Sequence, residues 1–140
     1  MTDNHIYYRS GYKYQLAKDY CIETRIRPPK EIDMQFISMK KDGTMIVKNG
    51  YAWDGTSGLI IDTDGNLRAS LVHDALYQLM RKGKLTPRKK YKDKVDKLFR
   101  RMCKDDKVLS PIAQLYYEVL KKLGNPSTEP ENIKKTHTAP

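Results

Sequence analysis

Over the first 50 residues, short segments alternate between apolar and polar side chains. The alternation is visible at Tyr12–Leu16 and Ile22–Ile26, and it resumes at Phe36–Met39 after Pro28-Pro29. A period of two residues indicates β-strands. Lys41-Asp42-Gly43 has the composition of a hairpin turn and precedes another apolar segment. The pattern predicts a small antiparallel β-sheet over residues 1–50.

The apolar period changes in the second half and predicts three helices. Asn66 to Lys82 contains no Pro or Gly, its leucines recur at helical spacing, and Gly83 follows it as a stop signal. Asp64-Gly65-Asn66 supplies a turn and an N-cap in front of this first helix. Thr86-Pro87 resembles an N-cap followed by Pro at the first helical position, opening a second helix through about Cys103.

Ser110-Pro111 repeats this start signal for a third helix that ends at Gly124. Its predicted core face is an apolar stripe formed by Ile112, Leu115, Tyr116, Val119 and Leu123. The length of 140 residues fits one domain. We therefore expect a single α+β domain over 1–125, with a loop rich in Gly and Asp at 51–65, the three helices over 66–124, and a flexible polar tail at 126–140.

The net charge of +10 is concentrated in one segment. From Arg81 to Lys107 there are 13 Lys or Arg and 4 Asp, a difference of +9. This excess indicates an anionic partner such as a phospholipid surface, whereas the alternative is a solvated helix face that maintains solubility. No helix-turn-helix, zinc-finger or aromatic-platform motif accompanies the charge, so sequence-specific nucleic-acid binding is not expected.

Two further features of the sequence bear on the cellular compartment. The N-terminus lacks the apolar stretch of a signal peptide, and no segment has the length and composition of a membrane span. Cys21 and Cys103 are far apart and form no CxxC pattern, which favours a reducing compartment. A single disulfide bond between them is the alternative.

The first predicted helix carries His73 and Asp74 at its centre, with Tyr77 one turn after the histidine. The ordinary interpretation is a hydrogen-bonded core histidine beside a solvated or salt-bridged aspartate. However, a short connection makes the first two helices antiparallel neighbours, so Asp96 can face His73 and fix its tautomer as an orienting carboxylate. Asp54 and Asp74, with loop carbonyls, would form an all-oxygen site suited to Ca²⁺. Such a cation could polarise an ester carbonyl while His73 takes a proton from water.

Three sequence segments carry a resemblance to known proteins: Asp54-Gly55-Thr56-Ser57, His73-Asp74-Ala75-Leu76-Tyr77 and Asp96-Lys97-Leu98-Phe99. This ordered series resembles a phage-associated domain family of unknown function. Over roughly 51–102 it is also similar to the catalytic core of calcium-dependent phospholipases A(2).

The second resemblance implies a general base at His73, its orienter at Asp96, calcium ligands at Asp54 and Asp74, and a supporting Tyr77. The chain departs from those phospholipases at Ala69 and Ser70, where a bracing cysteine would be expected. The predicted N-terminal sheet is a feature of the phage-associated family and not of the phospholipases.

Other chemistries have less support. A metal-dependent phosphohydrolase or a zinc peptidase would need more histidines than His73, and the other two, His5 and His137, lie in terminal segments. Ser57 lacks the G-x-S-x-G setting of a nucleophile. The serious alternative to a hydrolase is a non-catalytic phage structural or accessory protein that binds an anionic partner or virion proteins. Either would act in the host cytoplasm or the virion.

Overall fold

The structure, a computed structural model, describes residues 2–9, 14–55, 60 and 62–123. Seven short strands precede three helices: β1 Tyr8–Arg9, β2 Tyr14–Leu16, β3 Tyr20–Glu23, β4 Ile32–Asp33, β5 Ile37–Met39, β6 Thr44–Val47, β7 Ala52–Trp53, α1 Asp64–Arg81, α2 Arg88–Asp105 and α3 Ser110–Leu123. The predicted α+β order, with antiparallel strands first and three helices after them, is confirmed. The tail at 126–140 lies outside the described residues.

The strands form two antiparallel sheets, whereas the sequence predicted one. One sheet has the order β1-β2-β7 and the other the order β3-β6-β5-β4. The division arises because β2 pairs with β7, with Tyr14 opposite Trp53, and not with β3, its neighbour in sequence. The strand β7 also lies inside the predicted 51–65 loop. Two residues are too few to display an alternating pattern, so this strand gave no sequence signal.

The pairing register determines which face of the larger sheet enters the core. Tyr20 lies opposite Val47 and Ile22 lies opposite Met45 in the pair formed by β3 and β6. All four side chains are buried. Because the period of a strand is two residues, the intervening Cys21 belongs to the opposite face and is only half-buried.

Helix α1 begins two residues earlier than predicted. Its N-cap is Thr63, and the buried Asn66 side chain accepts a hydrogen bond of 2.9 Å from the Thr63 backbone N–H. Asp64 and Gly65, which were predicted to form the preceding turn, therefore lie in the first turn of the helix. The predicted stop at Gly83 is present: its φ is +73°, its N–H donates to Met80 O, and the next N–H donates to Leu79 O. These two bonds define a Schellman C-terminus.

Helix α2 differs from its prediction at both ends. Pro87 is the N-cap residue, and the first helical residue is Arg88. The helix continues to Asp105 because Lys107 adopts the left-handed conformation, with φ +76°, that a glycine usually occupies at this position. The Val108 N–H then donates to Cys103 O at 2.9 Å. A lysine gives no sequence signal for a helix end.

The predicted core face of α3 is wrong in part. Its buried residues are Ala113, Tyr117 and Leu120, whereas Ile112 and Leu115 are 42% and 60% exposed. The small Ala113 allows a close approach to the rest of the domain. The side chain of Leu123 lies outside the described residues. The apolar stripe alone could not identify the buried face, because this helix packs through a face displaced from it.

Arg68 of α1 joins three parts of the chain. Its guanidinium donates two hydrogen bonds to the Asp106 carboxylate, at 2.9 and 3.0 Å. Its Nη1 donates to Asp3 O at 3.0 Å and to the Tyr20 hydroxyl at 2.8 Å. Only 6% of Arg68 is exposed, so these partners replace most of its hydration. The contact fixes the N-terminal segment and the end of α2 against α1.

We expect Gly83→Ala to lower the free energy of unfolding by about 1 kcal/mol, because a β-carbon disfavours the left-handed conformation. A β-carbon at this position would meet no atom within 4 Å, so the cost is conformational and not steric. Urea denaturation measures the effect. Gly83→Asn is the control and should lose less, since Asn tolerates positive φ. Equal losses in the two variants would contradict the explanation.

Candidate functional site

His73 and Asp96 face each other between α1 and α2. The two helices are antiparallel, because Arg68 contacts Asp106 while Tyr77, further along α1, contacts the earlier Asp96. The His73 Nε2 atom lies 2.9 Å from Asp96 Oδ1, and the two residues are 5% and 1% exposed. The structure therefore brings together these two sequence-predicted residues from elements that are separate in the chain.

The hydrogen bonds determine the tautomer of His73. The Tyr77 hydroxyl donates to Asp96 Oδ1 at 2.6 Å, and Lys92 Nζ donates to Oδ2 at 2.8 Å. Burial alone would raise the pKa of Asp96, but hydrogen bonds from His73, Lys92 and Tyr77 lower it overall, so it is a carboxylate. Nε2 must then carry the proton that faces this acceptor. Burial lowers the pKa of His73, so the ring is neutral at pH 7 and Nδ1 carries a lone pair.

Aromatic rings fix the plane of the imidazole. The Tyr77 ring centroid is 3.9 Å from that of His73, and the Phe99 ring meets it edge-on at 5.4 Å. Burial, followed by the Asp96 charge, raises the pKa of Tyr77, so its hydroxyl stays protonated and can only donate to the carboxylate. Tyr77 thus contacts both members of the pair.

Lys92 completes the site and was missed by the sequence analysis. Besides its bond to Asp96, its ammonium donates to Leu120 O at 3.1 Å, and its side chain is 12% exposed. The ammonium balances the buried carboxylate, and its charge opposes protonation of His73. The four-residue spacing between Lys92 and Asp96 on one helix was the available signal.

The two predicted calcium ligands occupy different environments. Asp54 is exposed, while Asp74 is half-buried on α1. The charges of Asp74 and Arg81 both act on Tyr51, whose pKa is raised mainly by burial, so a cationic side chain already shares the surroundings of Asp74. Within the described residues, no group of three or more His, Cys, Asp or Glu side chains is arranged to hold a metal ion. Residues 56–59 and 61 of the loop whose carbonyls are predicted to complete this site lie outside the described residues.

The rest of the loop is anchored to its surroundings. Gly55 has φ +84°, and a β-carbon there would come within 2.3 Å of the Asp62 carboxylate, which also accepts a hydrogen bond from the Tyr14 hydroxyl at 3.1 Å. Trp53 is buried, and its Nε1 donates to Ser70 Oγ at 2.9 Å. The start of the loop is thus fixed to α1 through Trp53, and its end is fixed to β2 through Asp62.

Residues 31–120 match the family described as "Protein of unknown function (DUF1353)". These 90 of the 140 residues span β4 to most of α3 and include every residue of the candidate site. The chain belongs to the DUF1353 family. No curated protein and no solved structure matches this DUF1353 protein, so the resemblance to phospholipases A(2) is not confirmed. The strands β1 to β3 lie outside the family match.

Solvent approaches this network from the side of α3. A cavity of about 480 Å³ is lined by Asp96 and Lys92 together with Lys89, Lys97 and Tyr117, among others. The imidazole of His73 does not line it, so this cavity reaches the carboxylate and not the proposed base. Among the described residues, no helix has the length and apolar character needed to cross a membrane.

We expect the free energy of unfolding to fall as the pH decreases below about 6.5, the ordinary pKa of histidine. Burial lowers the pKa of His73 in the folded state, so in this range the unfolded chain binds a proton that the folded chain does not. One such group gives a slope of up to about 1.4 kcal/mol per pH unit. The lowered pKa of Asp96 has its effect only below about 3.8, outside this window.

Urea denaturation at several pH values between 7 and 5 tests this expectation. The matched variant is His73→Gln, whose amide can still donate to Asp96 but does not titrate. Its stability should decrease less across the same window. If the wild type and the variant showed the same pH dependence, the neutral, buried state assigned to His73 would be wrong.

Proposed function

We propose that this DUF1353 protein is a calcium-dependent hydrolase of phospholipid esters in which His73 is the general base. The observation that carries the proposal is the 2.9 Å contact between His73 Nε2 and the Asp96 carboxylate. A buried imidazole held by a carboxylate through one nitrogen presents the other nitrogen as a proton acceptor, the arrangement of a base oriented by a third group.

Each residue of the network has a definite part in this proposal. His73 Nδ1 takes a proton from the attacking water, and the resulting imidazolium is stabilised by Asp96 at Nε2. Tyr77 and Lys92 hold the carboxylate in position through its two oxygens. Only 5% of His73 is exposed, so the attacking water would have to reach a ring that is almost entirely enclosed by protein. Exclusion of bulk water strengthens the electrostatic interactions in such a site.

Calcium would be held by Asp54 and Asp74 with backbone carbonyls of the loop between β7 and α1. The ion would supply polarisation of the ester carbonyl and stabilisation of the developing oxyanion. The carboxylate oxygens of these two residues are of the ligand class that calcium prefers, but two side chains are fewer than its six to eight ligands. The remaining ligands would have to be loop carbonyls, water and substrate.

The alternative proposal is a non-catalytic phage structural or accessory protein. The observation that favours it is the completeness of the network: Asp96 is 1% exposed and already accepts bonds from His73, Tyr77 and Lys92. A structural role, the fixing of α1 against α2, is sufficient to account for such a network. In this case the basic segment from Arg81 to Lys107 would bind an anionic phospholipid surface or another anionic partner, including virion proteins. Either function would place the protein in the host cytoplasm or the virion.

Hydrolysis of mixed phosphatidylcholine and phosphatidylglycerol vesicles tests the first proposal. We expect fatty-acid release by the wild type in calcium, and a loss of about 100-fold or more for His73→Gln, since a general base contributes at least that factor. Lys41→Gln, an exposed change in the turn between β5 and β6, is the control and should retain the rate. Equal background release by the wild type in calcium, the wild type in chelator and His73→Gln would favour the binding protein.

Calcium binding can be tested without a substrate. Isothermal calorimetry of the wild type should show binding that is lost in the double variant Asp54→Asn/Asp74→Asn. Asp33→Asn/Asp105→Asn removes two exposed carboxylates elsewhere and should bind as the wild type does. An unchanged heat signal in the first double variant would exclude these two aspartates as calcium ligands.

A further inference from the structure

A strongly basic groove lies between α2 and the bend that follows β3. Its volume is about 490 Å³, and buried residues such as Ile26 and Leu98 contribute to its lining. No acidic side chain of the described residues lines the groove. Six cationic side chains do: Arg25, Lys94, Lys97, Arg100, Arg101 and Lys104. Cations therefore stand on both walls of one concave surface.

The bend that carries Arg25 is held in an uncommon conformation. Arg25 has φ +61°, in the left-handed region that residues with a β-carbon rarely adopt. The buried Thr24 hydroxyl accepts a hydrogen bond from the Ile26 N–H at 3.0 Å and donates to Gly43 O at 2.7 Å. A β-carbon on Gly43 would lie 3.1 Å from Arg25 N, so the hairpin turn packs directly on the bend. A strained backbone that places a cation in a cationic groove points to a ligand.

The charges of the groove are poorly balanced by the protein. Among the ion pairs of the described residues, the groove contributes only Lys97, which lies 3.0 Å from Asp93. Arg100 instead donates to the neutral Gln114 and stacks on Tyr117. Like charges gathered in a concave surface raise the local positive potential, which an anion would relieve.

The cations on α2 form a row. Lys94, Lys97, Arg101 and Lys104 are separated by three, four and three residues, so they share one face of the helix. At 1.5 Å per residue the row is about 15 Å long. Arg25 adds a cation on the opposite wall. An extended anion with several charges in line fits this arrangement better than a single compact one.

We propose that this groove binds the phosphodiester backbone of a nucleic-acid strand without reading its bases. A basic stripe along one helix is the electrostatic footprint of such binding, and no aromatic side chain lines the groove to stack a base. A bilayer surface would meet only the rim of a concave site. The exposed apolar residues Leu109, Ile112 and Leu115, which could insert into a membrane, do not line it. The proposal does not depend on the proposed ester hydrolysis.

Fluorescence anisotropy with a labelled oligothymidylate of about 20 nucleotides, measured over a range of salt concentrations, tests the proposal. Each phosphate contact adds about 0.7 to the slope of log affinity against log salt. We therefore expect Arg101→Gln/Lys104→Gln to reduce the slope by about 1.4 and to weaken binding about 25-fold at about 0.1 M salt. Lys84→Gln/Lys122→Gln removes the same charge at exposed positions outside the groove and should leave the slope unchanged. A mixed-sequence strand should bind as oligothymidylate does.

Two results would overturn this assignment. If both double variants weakened binding equally, net charge and not the groove would account for it. If the groove variant affected binding to phosphatidylserine vesicles but not to the oligonucleotide, the groove would be a membrane site. Circular dichroism of both variants verifies that the fold is retained, and Arg25→Gln supplies an independent test from the opposite wall.

Discussion

The structure depends on the burial of polar side chains on its central helix. Thirteen of the 18 residues of α1 are buried, so its polar groups cannot rely on water. Three of them obtain a partner from outside the helix: Arg68 from Asp106, Ser70 from Trp53 and His73 from Asp96. Within the described residues, no buried side-chain nitrogen or oxygen lacks a hydrogen-bond partner. Because hydrogen bonds are directional, these contacts specify the rotation of α1 about its axis, and its position along that axis, more narrowly than apolar packing would.

The same constraint explains why the candidate site can be interpreted in two ways. A histidine placed in the core must be held by an acceptor whether or not it performs chemistry. Lys92 makes the arrangement electrically balanced, since one ammonium compensates one carboxylate and the imidazole remains neutral. Such a balanced network stabilises the fold, and it also keeps a lone pair on Nδ1 at neutral pH.

The sequence predicted the elements that obey local rules. Gly83 marked the end of α1 because the left-handed conformation favours glycine, and the facing of His73 and Asp96 followed from helix spacing and a short connection. The failures concern tertiary contacts. The second sheet depends on the pairing of β2 with a two-residue strand nearly 40 residues later. Lys107 ends α2 in the left-handed conformation, which a lysine in the sequence does not predict. The partners of Arg68 also come from distant segments, so no local pattern could reveal them.

The single tryptophan occupies a position with a practical consequence. Trp53 connects the smaller sheet to α1 through Ser70, and the rings of Tyr8 and Tyr14 lie within 6.4 and 5.5 Å of it. Indole emission responds to the polarity around the ring, and both tyrosines are close enough to transfer excitation to it. The chain therefore carries its own optical reporter of the junction between the sheet and the central helix, so separation of the two can be followed without an attached dye.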